Sequence, residues 1–490
     1  MVVLNSYPLY LILLPLASAF LLFMLNSFIK KIVPVLSFLV LGFNFFISIK
    51  LFAIVQHNPV YVKLAGFLPP IGINLFVSGF NGLFVVVINL IGVAVALYSL
   101  YYIKEGAKSQ YYFLLLLFFA GINGIAVTGD IFNFFVFFEI LSISAYALVG
   151  IGNKKLSIEA GFKYLIQGSI GSLLLLIGIG FLYSQVGTLN LGDIAVKMST
   201  VDVKMKLLIG ALFISGLGIE SALFPLNFWL PDAHSMAPSS ISAVLSGLAI
   251  NAGLYGLLLF YFVIMGTLLP VLNILFVAGI VTMLVGEFFA YRQNNYKRML
   301  AFSSTGQMGL VVLAFFGGTV SLMVAGLLQL INHMLSKVLL FLSGGYILKN
   351  RDDYDLDGLS GAFYKFPIAA IGIIIGALSL MGVPLTFGFY SKIKILLGFS
   401  SAGNITVISL ILIASFIEGV YFIKVIQKLF NKSNDKKEFK IPLLVNLIFI
   451  LFILLILILG VYPHLGNVNG YVKNLINSSK LMSEVLNVVK

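Results

Sequence analysis

The sequence predicts an all-α polytopic membrane protein of about 14 transmembrane helices, and three observations carry that prediction. Of 490 residues, 60% are hydrophobic and only 10% charged, where a soluble globule carries about a quarter charged residues. Apolar runs of roughly 20 residues, the length that spans a bilayer core about 30 Å thick, recur along nearly the whole chain. Long runs apolar on both sides, such as 441–461, exclude the alternating pattern of a membrane β-barrel, while 47 glycines suit close helix packing in lipid.

In chain order the apolar runs place spans at 8–28, 32–54, 76–103, 111–128, 131–150, 161–185 and 206–230, then at 240–265, 271–290, 299–316, 320–347, 366–398, 404–424 and 441–461. The first run is as long as a span and lacks a basic leader, so it reads as a helix rather than a cleavable signal. The segment 468–489 has apolar residues at rough helical spacing and reads as a surface-lying tail or a frayed terminus.

Sorting lysine and arginine over alternate connections gives 19 on one side, 8 on the other and three, Lys337, Lys392 and Lys394, within spans, which accounts for all 30. The positive-inside rule puts the richer side in the cytoplasm of a multi-pass plasma-membrane protein with both termini outside. The net charge of +13 comes with no basic stripe interleaved with aromatics, which argues against a nucleic-acid partner. With no cysteine, the chain has no disulfide and no thiolate site for iron–sulfur or zinc. It is expected to carry no cofactor of its own.

Two spans are broken by proline in similar wording, Phe224-Pro225-Leu226-Asn227-Phe228, followed by Pro231, and Val383-Pro384-Leu385-Thr386-Phe387. Interrupted helices at corresponding places in two halves point to a conduction site in an inverted-repeat transporter. The simplest organisation is N-terminal helices (1–110), two five-helix inverted repeats (111–265 and 266–424) and a C-terminal helix with tail (425–490).

All nine aspartates lie in loops or at helix ends, but Glu139, Glu220, Glu287 and Glu418 lie in apolar runs. A charge at the bilayer centre costs about 2.5–3.5 kcal/mol on insertion scales, so such residues pair and function. His333 and Lys337, four positions apart, share a helix face and suit a relay. Lys392 follows the break at Pro384, near freed backbone carbonyls. Glu287 stands four residues before Tyr291-Arg292, where pairing with Arg292 and a part in transport are equal readings. Asp232 and His234, beside Pro231, read as a helix end or gate rather than a metal pair. Amines and carboxylates are what a wet proton path needs, since desolvation brings both toward neutral titration. Two unit charges 4 Å apart at an effective dielectric of 20 interact by about 4 kcal/mol, enough for a charge arriving at one site to eject a proton from the next.

Five strings taken in order resemble the antiporter-like family: Phe138-Glu139-Ile140, the run Phe224 to His234, Lys297 to Ser304, Asn332 to Leu342, and Gly388 to Lys392. That family comprises large membrane subunits of respiratory complex I, Mrp-type Na⁺/H⁺ antiporters, and membrane-bound hydrogenases and sulfane reductases of archaea. The resemblance implies fourteen helices, two inverted five-helix repeats, a central polar axis crossing the membrane plane, and proton-path roles for Glu139, His333, Lys337 and Lys392. Two positions depart from the pattern. Glu220 stands where family members carry a lysine, and Asn251 where a lysine or histidine is common. Glu139 and Glu220 then share a proton or hold Na⁺ with Asn251 as a neutral ligand, or the first half is idle.

The expected function is that of a non-catalytic subunit moving H⁺, and in one reading Na⁺, in a redox-driven respiratory complex. Its partners would be other membrane subunits, iron–sulfur-bearing peripheral subunits and lipid. The alternatives are an Mrp-type antiporter subunit without a redox arm, and a scaffold that no longer conducts.

Overall fold

The computed structural model describes residues 3–29, 31–67, 72–103, 108–152, 155–265, 268–432, 439–462 and 470. The tail segment 468–489 lies, Gly470 apart, outside the described residues, as do several of the cations sorted above.

The N-terminal region has α1 (Tyr7–Met24), α2 (Val33–Val55) and α3 (Gly79–Tyr102). Next come α4 (Lys108–Val127), α5 (Ile131–Gly150), α6 (Lys155–Val186), α7 (Val203–Glu220), α8 (Trp229–Met236) and α9 (Ser239–Ile264). The second half of the chain holds α10 (Leu269–Tyr291), α11 (Tyr296–Phe315), α12 (Val320–Arg351), α13 (Pro367–Met381), α14 (Phe387–Ser401) and α15 (Ile405–Phe430), and α16 (Leu443–Val461) follows. Among the described residues, 12 helices are long and apolar enough to cross a membrane. The remaining long runs are two interrupted pairs, α7 with α8 and α13 with α14.

Burial sorts these helices into rings. α9 and α12 are buried throughout their most apolar windows, whereas about two thirds or more of those windows in α1, α2, α10, α15 and α16 is unburied and fits lipid or a neighbour. A central helix that is apolar on all sides is what burial without water demands. Helices α10 and α11 run against each other along Gly279, Gly286, Gly306 and Gly309, and a Cβ on Gly309 would collide with the backbone of Met283. Small residues are the route to close approach where lipid removes the hydrophobic drive.

One element departs from the all-α expectation. A three-stranded sheet joins β1 (Val3–Leu4), β2 (Val60–Lys63) and β3 (Asn74–Val77), with the first pair parallel and the second antiparallel. The β-branched and aromatic runs Val60-Tyr61-Val62 and Phe76-Val77 favour extended backbone; the first falls between spans, and the second takes the opening residues of the run read as the span 76–103, whose helix begins at Gly79.

Both breaks are observed, at 221–228 and 382–386. Each contains a non-glycine residue in left-handed backbone, Ala222 (φ 54°) and Leu385 (φ 74°). Side chains take over the freed backbone groups: Trp229 Nε1 donates to Ile219 O (2.8 Å), Phe224 N donates to Thr282 Oγ1 (3.0 Å), and Thr386 Oγ1 donates to Val383 O (2.6 Å). Broken backbone is tolerated at membrane depth only with such partners. Pro225 and Pro384 lie within the breaks, but Pro231 does not break a helix. It sits in the first turn of α8, where its missing N–H has no intrahelical partner to lose.

Candidate functional site

The second half gathers a continuous polar network. Lys392 on α14 donates to Glu418 Oε2 on α15 at 2.5 Å, with side-chain exposures of 8% and 1%. The same ammonium reaches Met381 O, a carbonyl freed at the break, and Ser415 Oγ, both at 3.4 Å. Glu418 Oε1 accepts from Gln307 Nε2 (2.6 Å), Gln307 Oε1 from Gln329 Nε2 (2.5 Å), and Gln329 Oε1 from Ser391 Oγ (2.5 Å), which closes a ring around the pair. A buried pair needs this, because desolving two charges is repaid only if their remaining lone pairs and protons are satisfied.

One layer further in, Lys337 on α12 is entirely buried and donates to Leu300 O (3.0 Å) and Ser303 Oγ (2.7 Å) of α11. Its charge lies within electrostatic reach of Glu287 and Glu418. Glu287 takes a hydrogen bond from Tyr421 OH (2.7 Å), and a Cβ on Gly306 would strike its Oε1. The pairing with Arg292 is therefore not what the fold makes: α10 runs to Tyr291 and turns Glu287 inward to 2% exposure. His333, fully buried, shares the Lys337 face.

The first half is sparser. Glu220, the last residue of α7, is 1% exposed and accepts from Tyr164 OH at 2.6 Å. Tyr164 stacks on Trp229 with centroids 3.7 Å apart. Glu139 on α5 is only partly buried, and it lies within electrostatic reach of Glu220. Glu220 Oε2, Glu139 Oε1 and Asn251 Oδ1 are buried without a protein partner. Asn251 turns its amide to Gly247 O (2.6 Å) and Ser246 O (3.4 Å), carbonyls in a widened turn of its own helix at Leu245–Ala249. Ser142, the hydroxyl nearest Glu139 in sequence, makes no hydrogen bond to it in this arrangement.

Sequence reasoning missed two inner residues, Gln307 and Gln329, and misplaced two others, Lys297 and His234. Lys297, counted among the cytoplasmic cations, is 2% exposed and donates to the carbonyls of Ala237 and, at 3.4 Å, Ser235. Its neighbour Arg298 faces the other way, to Asp232 Oδ1 at 2.5 Å, with Lys163 on the second oxygen at 3.2 Å. His234 is wholly buried rather than at an edge. The glutamines Gln307 and Gln329 stand in apolar helices with hydropathy high enough to hide them, though an amide at that depth needs a partner as a charge does. Among the described residues no group of three or more His, Cys, Asp or Glu is placed to hold a metal ion.

Two broken helices and a buried set of amines, carboxylates and amides define the class: a polytopic membrane protein that holds ionisable groups inside its core. Residues 128–418 match the NADH:quinone oxidoreductase/Mrp antiporter transmembrane family, and the chain belongs to it. It is 34% identical over 386 residues, 77% of each chain, to NADH-quinone oxidoreductase subunit N of Desulforudis audaxviator. It is 33% identical over 365 residues, 72% of each chain, to a Na(+)/H(+) antiporter subunit of Alkalihalophilus pseudofirmus. Among solved structures, a chain of the membrane-bound sulfane sulfur reductase, an archaeal respiratory membrane complex, superposes with TM-score 0.92 at 31% identity over 99% of this chain and 100% of that one. A chain of the Mrp complex from a Dietzia species shares the fold, with TM-score 0.90 at 23% identity over 98% and 99%.

Proposed function

We propose that this chain is the ion-translocating, non-catalytic subunit of a redox-driven respiratory membrane complex, moving protons through its second half while partner subunits carry the electron transfer. The observation that supports it most is the buried Lys392–Glu418 pair at the second break, hydrogen-bonded to Gln307 of α11, the helix that also holds Lys337. In this reading the interrupted pairs α7–α8 and α13–α14 each complete one crossing, which makes fourteen. The five-helix repeats 111–265 and 266–424 are related by inversion, and the Lys/Arg-rich face is cytoplasmic with both termini outside the plasma membrane. Glu139, His333, Lys337, Lys392 and Glu418 are the ion-bearing groups. A charge reaching Lys337 alters the cost of protonating Glu418, because the two groups lie within electrostatic reach of each other. Both solved chains match over the full length, and the higher identity to the sulfane reductase chain, 31% against 23% for the Mrp chain, favours a redox assembly over the antiporter alternative.

Purification of the native assembly decides between them. Iron–sulfur-bearing peripheral subunits are expected to co-purify, whereas an assembly containing antiporter subunits and no redox subunit overturns the reading in favour of an Mrp-type exchanger.

The unpartnered oxygens of Glu139, Glu220 and Asn251 support a second element, a monovalent-cation site in the first half. Unpartnered carboxylate and amide oxygens are the ligands that suit Na⁺, and a lysine in place of Glu220 would exclude it by repulsion. Glu220→Gln is expected to lower the Na⁺ dependence of transport in proteoliposomes by about tenfold while leaving proton translocation at zero Na⁺ intact. Unchanged Na⁺ dependence sinks the cation site.

A further inference from the structure

His234 and His333 are both completely buried, and none of their four ring nitrogens has a protein partner. A neutral imidazole carries one donor and one acceptor, and leaving a buried polar group unmade costs about 1–3 kcal/mol. Packing alone does not account for such rings, since a phenylalanine would fill the same space without that cost. Nitrogens in a polar interior are satisfied by bound water, which bridges groups that do not touch.

The positions order themselves. His333, Lys337 and Phe341 stand four apart on α12 and form one stripe. The His234 ring stacks on Phe341 with centroids 5.0 Å apart and planes 12° from parallel, one turn beyond Lys337. Its segment is fixed by Ser242 Oγ, which donates to His234 O at 2.9 Å. Just past it, the Lys297 ammonium is held on the carbonyls of Ala237 and Ser235. On α11, Lys297 precedes by about one turn and nearly two turns the residues Leu300 and Ser303 that hold Lys337. His234 lies within electrostatic reach of both lysines and of His333. The next residue, Arg298, faces away from Lys297 and joins Asp232 and Lys163 at a separate cavity of about 530 Å³ lined also by Asn227, Gln167 and Trp229. The sequence of groups from the membrane interior to the Lys/Arg-rich face is therefore Lys337, His234 and Lys297.

We infer that His234 is a proton-carrying link between Lys337 and Lys297, and that Lys297 is the terminal group of the second-half path on the Lys/Arg-rich face. The inference rests on the translocating role proposed above and adds the side on which the path opens. The proton enters or leaves at Lys297, passes by bound water to one His234 nitrogen while the other releases one toward Lys337, and the ring returns by reorientation. No redox partner is required.

Two substitutions separate this from a packing role in the native assembly reconstituted in liposomes. His234→Phe keeps the stack on Phe341 and removes both nitrogens. His234→Gln keeps hydrogen-bonding atoms that do not titrate. Both are expected to cut proton translocation roughly a hundredfold, the low end of what a positioned proton-transfer group contributes, with the assembly intact. A Phe variant that translocates at the wild-type rate overturns the proposal, as does a Gln variant that does so, since the ring would then order water without carrying the proton. Lys392→Ala runs beside them: loss there with wild-type rates in both His234 variants overturns this inference alone, while a wild-type rate in Lys392→Ala overturns the translocating role beneath it. Should the His234 variants not assemble, a high-resolution map of the unmodified complex decides. Ordered water within hydrogen-bond distance of both rings is expected, and dry apolar surroundings overturn the link.

Discussion

Lys392→Ala is expected to abolish proton translocation and to weaken the assembled chain. Glu418 is 1% exposed and its Oε2 rests on that one ammonium. Removing one partner of a buried pair leaves an uncompensated charge, typically at a cost of about 3–5 kcal/mol, whereas replacing both by neutral residues of similar volume is often neutral or stabilising. The two consequences therefore separate. In the double variant Lys392→Met with Glu418→Gln, the thermal midpoint of the purified assembly should recover to near wild type, because Gln307 keeps an amide acceptor and no lone charge remains. Translocation in proteoliposomes should stay absent, because neither replacement titrates. If Lys392→Ala pumps at the wild-type rate in an intact complex, the pair is a structural staple and the chain a scaffold that spaces its neighbours.

Gly388→Ala is expected to be the most damaging change of a single methyl. Gly388 begins the second half-helix after the break, and a Cβ there would overlap the Ser379 carbonyl and come within 2.8 Å of Asn332 Nδ2. The same crossing carries Gly388 N to Ser379 Oγ (3.2 Å) and Ser379 Oγ to Asn332 Oδ1 (2.6 Å), so it cannot open without losing both bonds. Overpacking costs about 1–3 kcal/mol, and each buried polar group left unmade a further ~1–3 kcal/mol. Set against a whole-domain stability of about 5–15 kcal/mol, the sum should leave little folded chain in extracted membranes. It would also displace Lys392, one turn along. Recovery of Gly388→Ala at wild-type level with an unchanged thermal midpoint would show that α13 and α14 do not cross so closely.

What the sequence reveals and what it hides follow from physics. The span read at 131–150 is the helix Ile131–Gly150, and the span at 320–347 falls within Val320–Arg351, because hydrophobic length is a property of consecutive residues. Both breaks and the Lys392 position follow from proline chemistry in the same local way. Lys297 stays hidden because it adjoins Arg298 at a span end, where two cations read alike. The Asn295 cap on Arg298 N (3.0 Å) starts α11 there and sets neighbouring side chains about 100° apart, one inward and one outward. Glu287 was ambiguous for a different reason. Its partner Tyr421 is 134 residues away, and no spacing rule links them. Glu418 is legible as an isolated charge, but Gln307 and Gln329, which link it by hydrogen bonds to Ser391, carry no charge to draw the eye.

The chain contains a single tryptophan, and the fold lays it on Tyr164, whose hydroxyl holds Glu220. An indole emits according to the charges and dipoles around it. The tryptophan fluorescence of this polypeptide therefore originates beside the buried carboxylate at the end of α7. Gain or loss of a charge at Glu220 is reported optically, with no label introduced and no residue replaced.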